Sequence, residues 1–138
     1  MELKRVVVTG LGTINPLGND VETTWENALA GKSGAGPITH FDVSLFKTKF
    51  GCEVKDFDPN DLFERKEARK YDRYSHFALQ AAKEAMEDSG LDLESENRDR
   101  IGVIFSAGIG GIRTFEEEVG SYYVNIDKGP RFNPFFIS

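Results

Sequence analysis

Residues Ile101 to Glu118 read IGVIFSAGIGGIRTFEEE. Ile101 to Phe105 form a short apolar run of the kind that makes a buried strand. Ser106 to Gly111 follow as a small-residue loop with three glycines. Ile112 to Tyr123 then carry the pattern of a helix, with Glu116, Glu117 and Glu118 on its polar side. Strand, glycine loop and helix together make many ligand sites in α/β proteins. Glycine lets the backbone come close to a ligand and take positive φ at no steric cost. An anion on the helix N-terminus is the first expectation. Against it, no Lys-Ser or Lys-Thr follows the glycines, as a phosphate loop requires.

The rest of the chain bounds what this stretch can belong to. Its 138 residues suffice for one ordinary domain, and 39% apolar with 29% charged content is typical of a soluble globular protein. A net charge of −6 argues against nucleic-acid binding. The single cysteine, Cys52, permits no intramolecular disulfide. No segment has the length of a signal-peptide core or a membrane span, so a cytoplasmic protein with no membrane association is expected.

Outward from the central stretch, a second apolar run stands near the start. Arg5 to Leu11, RVVVTGL, reads as a strand buried on both faces, as in a parallel sheet. Gly10 and Gly12 after it make a G-x-G, but Asn15 fills the third glycine position of a dinucleotide fingerprint. Pro16 then disfavours helix at Asn15. A tight turn is the simpler reading. Asn19 or Asp20 can cap a helix from Val21 to Ala30, with Val21, Trp25, Ala28 and Leu29 as its apolar stripe and Gly31 as its stop. Phe46 to Val54 reads as a further extended segment. Cys52 within it has Glu53 and Lys55 beside it but sits in a strand interior rather than at a helix start, and reads as a small buried hydrophobe rather than a nucleophile. His40 and His76 read as structural or surface residues, and no metal site is expected.

Arg65 to Arg73, RKEARKYDR, has five basic residues in nine. On a continuous helix Arg65, Arg69 and Arg73 would align, with Lys66 and Lys70 on the adjacent row. In an acidic chain this local excess is either a solvated face or a docking surface for an acidic partner. Ser75 to Ser89 reads as a helix stopped by Gly90, whose small-residue face of Ala78, Ala81, Ala82 and Ala85 allows close approach of another element. The tail, from Asn125, closes on the aromatic run Phe135, Phe136, Ile137 with no partner in view. Two buried strands about ninety residues apart also lack neighbours. The expectation is the front part of a larger protein, or a chain that pairs with another.

Six stretches carry a family likeness in register: RVVVTGLGTINPLGN (5–19), GPITHFD (36–42), RKEARKYDRY (65–74), DSGL (88–91), GIGG (108–111) and GPRFNPFF (129–136). Together they resemble the β-ketoacyl-acyl-carrier-protein synthases, above all the type II condensing enzymes of bacterial fatty-acid synthesis. The likeness spans the whole chain but only roughly the first third of a family member. It implies an α/β chain that is part of the first half of a thiolase-like layered fold, with 1–138 as the N-terminal portion of the first domain. It implies a homodimer, acyl-carrier protein as partner, and decarboxylating condensation of an acyl-thioester with malonyl-carrier protein. No cofactor is expected. The family's nucleophilic cysteine, its two histidines and its lysine lie beyond Ser138, so residues 1–138 alone are expected to be inactive.

By the same resemblance Lys66, Arg69 and Lys70 match the basic patch that docks the carrier protein, and Arg131 a basic position near the site entrance. Ile109 matches the acyl-pocket position, and Phe136 an aromatic that approaches the partner subunit's pocket. The resemblance leaves one alternative, a non-catalytic partner subunit similar to a chain-length factor. A nucleotide-binding domain, suggested only by the glycine loops, is the remaining class.

Overall fold

The computed structural model describes residues 3–129 and 131–136. The chain divides into two compact units, Met1–Phe57 with Gln80–Arg98 and Asp58–Leu79 with Asp99–Ser138. Its elements, in order, are α1 (Val21–Leu29), β1 (Ala35–Pro37), β2 (Phe50–Cys52), α2 (Arg65–Ala68), α3 (Arg73–Ser89) and α4 (Ile112–Val124), with short 3-10 turns between them. Helix α3 supplies residues to both units.

In the first unit, α1 starts where the sequence predicts. The Asp20 carboxylate accepts from Thr23 N at 2.6 Å, and Gly31 (φ 64°) ends the helix. The predicted apolar stripe, however, faces solvent, with Trp25 and Leu29 exposed. The half-buried face is Val21, Thr24 and Asn27. Hydrogen bonding decides this. Asn15 Nδ2 donates to Thr24 Oγ1 at 2.9 Å and Asn27 Nδ2 to the Leu17 carbonyl at 2.6 Å, so the helix is held to the 15–18 loop by its polar side. That loop closes on itself by reciprocal Asn15 and Gly18 backbone bonds of 2.9 and 3.1 Å.

The two glycines of the G-x-G lie against α3. A Cβ at Gly10 would sit 2.2 Å from the Ala85 carbonyl oxygen, and one at Gly12 would sit 2.0 Å from that of Ala81. The small-residue face of α3 therefore receives glycine backbone. Two carboxylates of α3 lock the contact: Leu11 N donates to Asp88 and Thr13 N to Glu84, each at 2.8 Å. The other Glu84 oxygen accepts from Val21 N at 2.7 Å, capping α1 from a distance.

The strand expectations need correction. Arg5 to Leu11 is not in a ladder, and Val6 and Val8 are 89% and 78% exposed. Ile101 to Phe105 is likewise unpaired, with Val103 85% and Ile104 96% exposed. A run of backbone becomes a strand only when a neighbouring strand accepts its hydrogen bonds, and no described strand does so here. The Phe46–Val54 segment shrinks to β2, which pairs antiparallel with β1 in the register Ala35 with Cys52 and Pro37 with Phe50. Composition concealed β1, because Gly34, Gly36 and Pro37 are turn residues. Cys52 is exposed rather than buried, on a sheet that has two strands among the described residues. Glu53 closes the ribbon by accepting from Thr39 N at 3.0 Å and Thr39 Oγ1 at 2.7 Å.

In the second unit the basic stretch is not one helix. It breaks after Ala68 and resumes at Arg73. The predicted Arg65, Arg69 and Arg73 row therefore does not form. Asp72 stands at the restart: its carbonyl accepts from Ser75 N and His76 N at 3.0 and 3.1 Å, in the first turn of α3. His76 is buried, 7% exposed, and its Nε2–H donates to the Ala68 carbonyl at 2.9 Å. The rings of Phe63 and Tyr71 stand 5.8 and 6.4 Å away. The structural role expected for this histidine is thus specific: it takes the carbonyl that α2 leaves behind when it ends.

Candidate functional site

The second unit holds a groove of about 480 Å³, within the usual range for small-molecule sites. Its lining comes from the turn after α2, the glycine loop with the start of α4, and the tail at Asn133 to Phe136. Four of the six residues singled out in the sequence, Arg69, Lys70, Ile109 and Phe136, line it together. Lys66 lies one turn before Lys70 in α2 and is exposed. Arg131, in the tail, is also exposed and does not line the groove.

The loop that carries Ile109 is shaped by its neighbours. Gly110 takes φ 74°, which a side chain would resist, and a Cβ there would stand 3.6 Å from the Tyr74 ring. Ile109 is 76% exposed at the loop's tip, a large apolar side chain presented rather than packed. Gly111, at the N-cap of α4, has an ordinary φ of −77°. Its missing side chain matters for a different reason, since a Cβ there would lie 2.6 Å from the Asp72 carboxylate. That carboxylate accepts the Thr114 hydroxyl in a short hydrogen bond.

The wall formed by the tail is aromatic. Phe136 stacks on Phe132 at 5.4 Å and on Phe115 at 6.5 Å, and Phe132 stacks on Tyr122 at 5.3 Å. Asn133 N donates to Glu118 at 2.8 Å, so Glu118 is engaged and half-buried rather than on a purely solvated face. The partner missing from the sequence view of the tail is α4. Ile137 lies outside the described residues.

Charge is unevenly distributed across the basic turn. Lys70 pairs with Glu67, and this side-chain hydrogen bond raises the lysine's pKa above its ordinary value. Arg65, Lys66 and Arg69 have no carboxylate within ion-pair distance among the described residues. Three cations are therefore available to an external anion. Asp72 and Thr114 are the groove residues that sequence reasoning missed. Asp72, just ahead of the predicted Ser75 helix, could have been found as a cap residue. Thr114 gave no signal, because its partner lies 42 residues away.

Residues 3–134 match the β-ketoacyl synthase N-terminal domain, and the chain belongs to this family. Among curated relatives, 3-oxoacyl-[acyl-carrier-protein] synthase 2 of Synechocystis sp. is 46% identical over 138 residues, 99% of this chain and 32% of that protein. The protein of the same name from Coxiella burnetii is 47% identical, covering 99% of this chain and 33% of its own length. The chain thus spans about a third of the relatives it matches.

Among solved structures, the ishigamide ketosynthase/chain length factor superposes with a TM-score of 0.75 at 28% identity, over 95% of this chain and 32% of that one. A type II PKS acyl-carrier protein in complex with its ketosynthase bound to the hexaketide gives a TM-score of 0.75 at 27% identity, over 98% and 34%. The chain accordingly has the α/β, thiolase-like fold of these ketosynthases, in its first half, over the third of their length that it spans.

Proposed function

We propose that this chain is the N-terminal portion of the first domain of a β-ketoacyl-acyl-carrier-protein synthase, an acyltransferase of fatty-acid chain elongation. The reaction is a decarboxylating condensation of an acyl-thioester with malonyl-carrier protein. The catalytic cysteine and histidines belong to the remainder of the enzyme. This chain's own part is to receive the carrier protein and the acyl chain. The observation that carries the reading is the groove in which Arg69 and Lys70 meet Ile109 and Phe136.

A carrier-borne primer presents two chemistries, an acidic protein surface and a hydrocarbon, and this groove offers a complement to each. Lys66 and Arg69, without a carboxylate partner here, are suited to phosphate and carboxylate groups of a docking protein, where complementary charge speeds encounter and fixes register. Lys70 would exchange Glu67 for the incoming anion. Ile109, at the tip of its loop, supplies apolar surface that an acyl chain would cover. Arg131 would add a cation near the entrance. The relative solved with an acyl-carrier protein supports that partner class. The family's homodimer, with Phe136 approaching the partner subunit, and a cytoplasmic location complete the reading; among the described residues no helix is long and apolar enough to cross a membrane.

The test is charge reversal in the complete enzyme. The Lys66→Glu, Lys70→Glu variant should raise KM for carrier-borne primer about tenfold or more, the scale of lost charge pairing at an interface. Its kcat should change little. An unchanged KM removes the basic turn from carrier recognition and with it this reading of the groove.

A further inference from the structure

We propose that Asp72 is a specificity-positioning residue: through Thr114 and Gly111 it sets where the Ile109 loop stands, and so which acyl lengths the groove accepts. The inference rests on the acyl-pocket reading of Ile109. Its own support lies in three contacts. The Asp72 carboxylate accepts the Thr114 hydroxyl, in the first turn of α4. The Asp72 carbonyl accepts from Ser75 N and His76 N in the first turn of α3, so the carboxylate stands at the start of a 17-residue helix. Gly111 leaves room for that carboxylate, which a Cβ there would meet at 2.6 Å.

These contacts make one mechanical unit. The loop 108–111 is fixed at its far end by α4, and α4 is fixed at its first turn by Asp72. Ile109 itself is exposed and makes little packing of its own. Its position is therefore inherited from residues that do not line the acyl chain's path by apolar contact. Asp72 also lies two residues after Lys70, so the anchor of the apolar loop and the cations of the docking turn share one turn of chain.

Two substitutions disturb the same contact from opposite sides. Thr114→Val removes the hydroxyl while keeping the side chain's shape, and Gly111→Ala drives a methyl into the carboxylate. In the complete enzyme each should change the ratio of kcat/KM for long over short carrier-borne primers by about two- to tenfold, the range of one net hydrogen bond. Thr114→Ser, which restores the donor, should return the wild-type ratio. KM for malonyl-carrier protein should not move.

A purely structural role for Asp72 would lower kcat/KM for all primers alike, and that result overturns the inference. So does an unchanged ratio in both variants. Ile109→Phe, measured alongside, separates the levels of failure. If it shifts the chain-length profile while Thr114→Val and Gly111→Ala do not, the positioning role alone falls. If Ile109→Phe leaves the profile unchanged, the acyl-pocket reading falls and takes this inference with it.

Discussion

Gly12→Ala tests the contact between the 10–12 segment and α3. A methyl at position 12 would stand 2.0 Å from the Ala81 carbonyl oxygen and 2.6 Å from Ala85 N, where ordinary contact begins at 3.4 Å. Both neighbours are helix backbone and cannot rotate away, so the segment must retreat by more than an ångström. Retreat strains the Thr13 N to Glu84 bond of 2.8 Å, a bond to a charged acceptor. Overpacking of this kind costs about 1–3 kcal/mol, and a weakened charge-assisted bond adds about 1 kcal/mol.

The expected loss is therefore about 2–4 kcal/mol, or a fall of about 1–2 M in urea midpoint for a chain of this size. Trp25, the single tryptophan, reports on the unit concerned. Gly120→Ala is the control. Nothing lies within 4 Å of a Cβ there and the residue is inside α4, so alanine should stabilise by about 1 kcal/mol. A midpoint for Gly12→Ala equal to wild type would refute the close contact and revive a ligand-binding role for the G-x-G.

Two further outcomes follow from the charges. Hydrogen bonds from Thr39, first its hydroxyl and then its amide, lower the Glu53 pKa below the ordinary glutamate value. Its contribution to the β1–β2 ribbon is thus present at neutral pH and is lost as pH falls through that depressed value; the protection of the Thr39 amide, taken relative to its intrinsic exchange rate, should fall there, and Glu53→Gln should remove that pH dependence. For the Lys66→Glu, Lys70→Glu variant, KM for carrier-borne primer should lose its dependence on salt between about 0.05 and 0.5 M, because the charges being screened are gone. A KM that still rises with salt as in wild type would assign the electrostatics to other residues.

Local signals were legible in the sequence and long-range ones were not. Asp20 and Gly31 bound α1, and Gly90 (φ 63°) stops α3, because caps are read from single residues. The glycine loop and α4 stand where IGGIRTFEEE places them. The Arg5–Leu11 and Ile101–Phe105 runs show the opposite case. Their apolar character is plain, but strand formation depends on neighbours that no pattern in these residues can supply. The Arg65–Arg73 row failed because α2 ends at Ala68 and α3 begins only at Arg73, a break that the charge periodicity of the run does not signal.

In α1, polar bonds from Thr24 and Asn27 overrode the hydrophobic stripe that periodicity picked out. At the groove, the family resemblance found Arg69, Lys70, Ile109 and Phe136, which three separate stretches of chain bring together. It did not find Asp72 or Thr114, whose side chains meet across 42 residues of sequence.

The most direct test of the central claim returns to Ile109. Ile109→Phe in the complete enzyme, assayed with a series of short to long carrier-borne primers, adds a ring to the exposed tip of the glycine loop. The groove reading predicts that kcat/KM falls about tenfold or more for the longest primers and stays near wild type for the shortest. A profile that keeps its shape, falling equally at every length or not at all, would contradict an acyl chain in this groove.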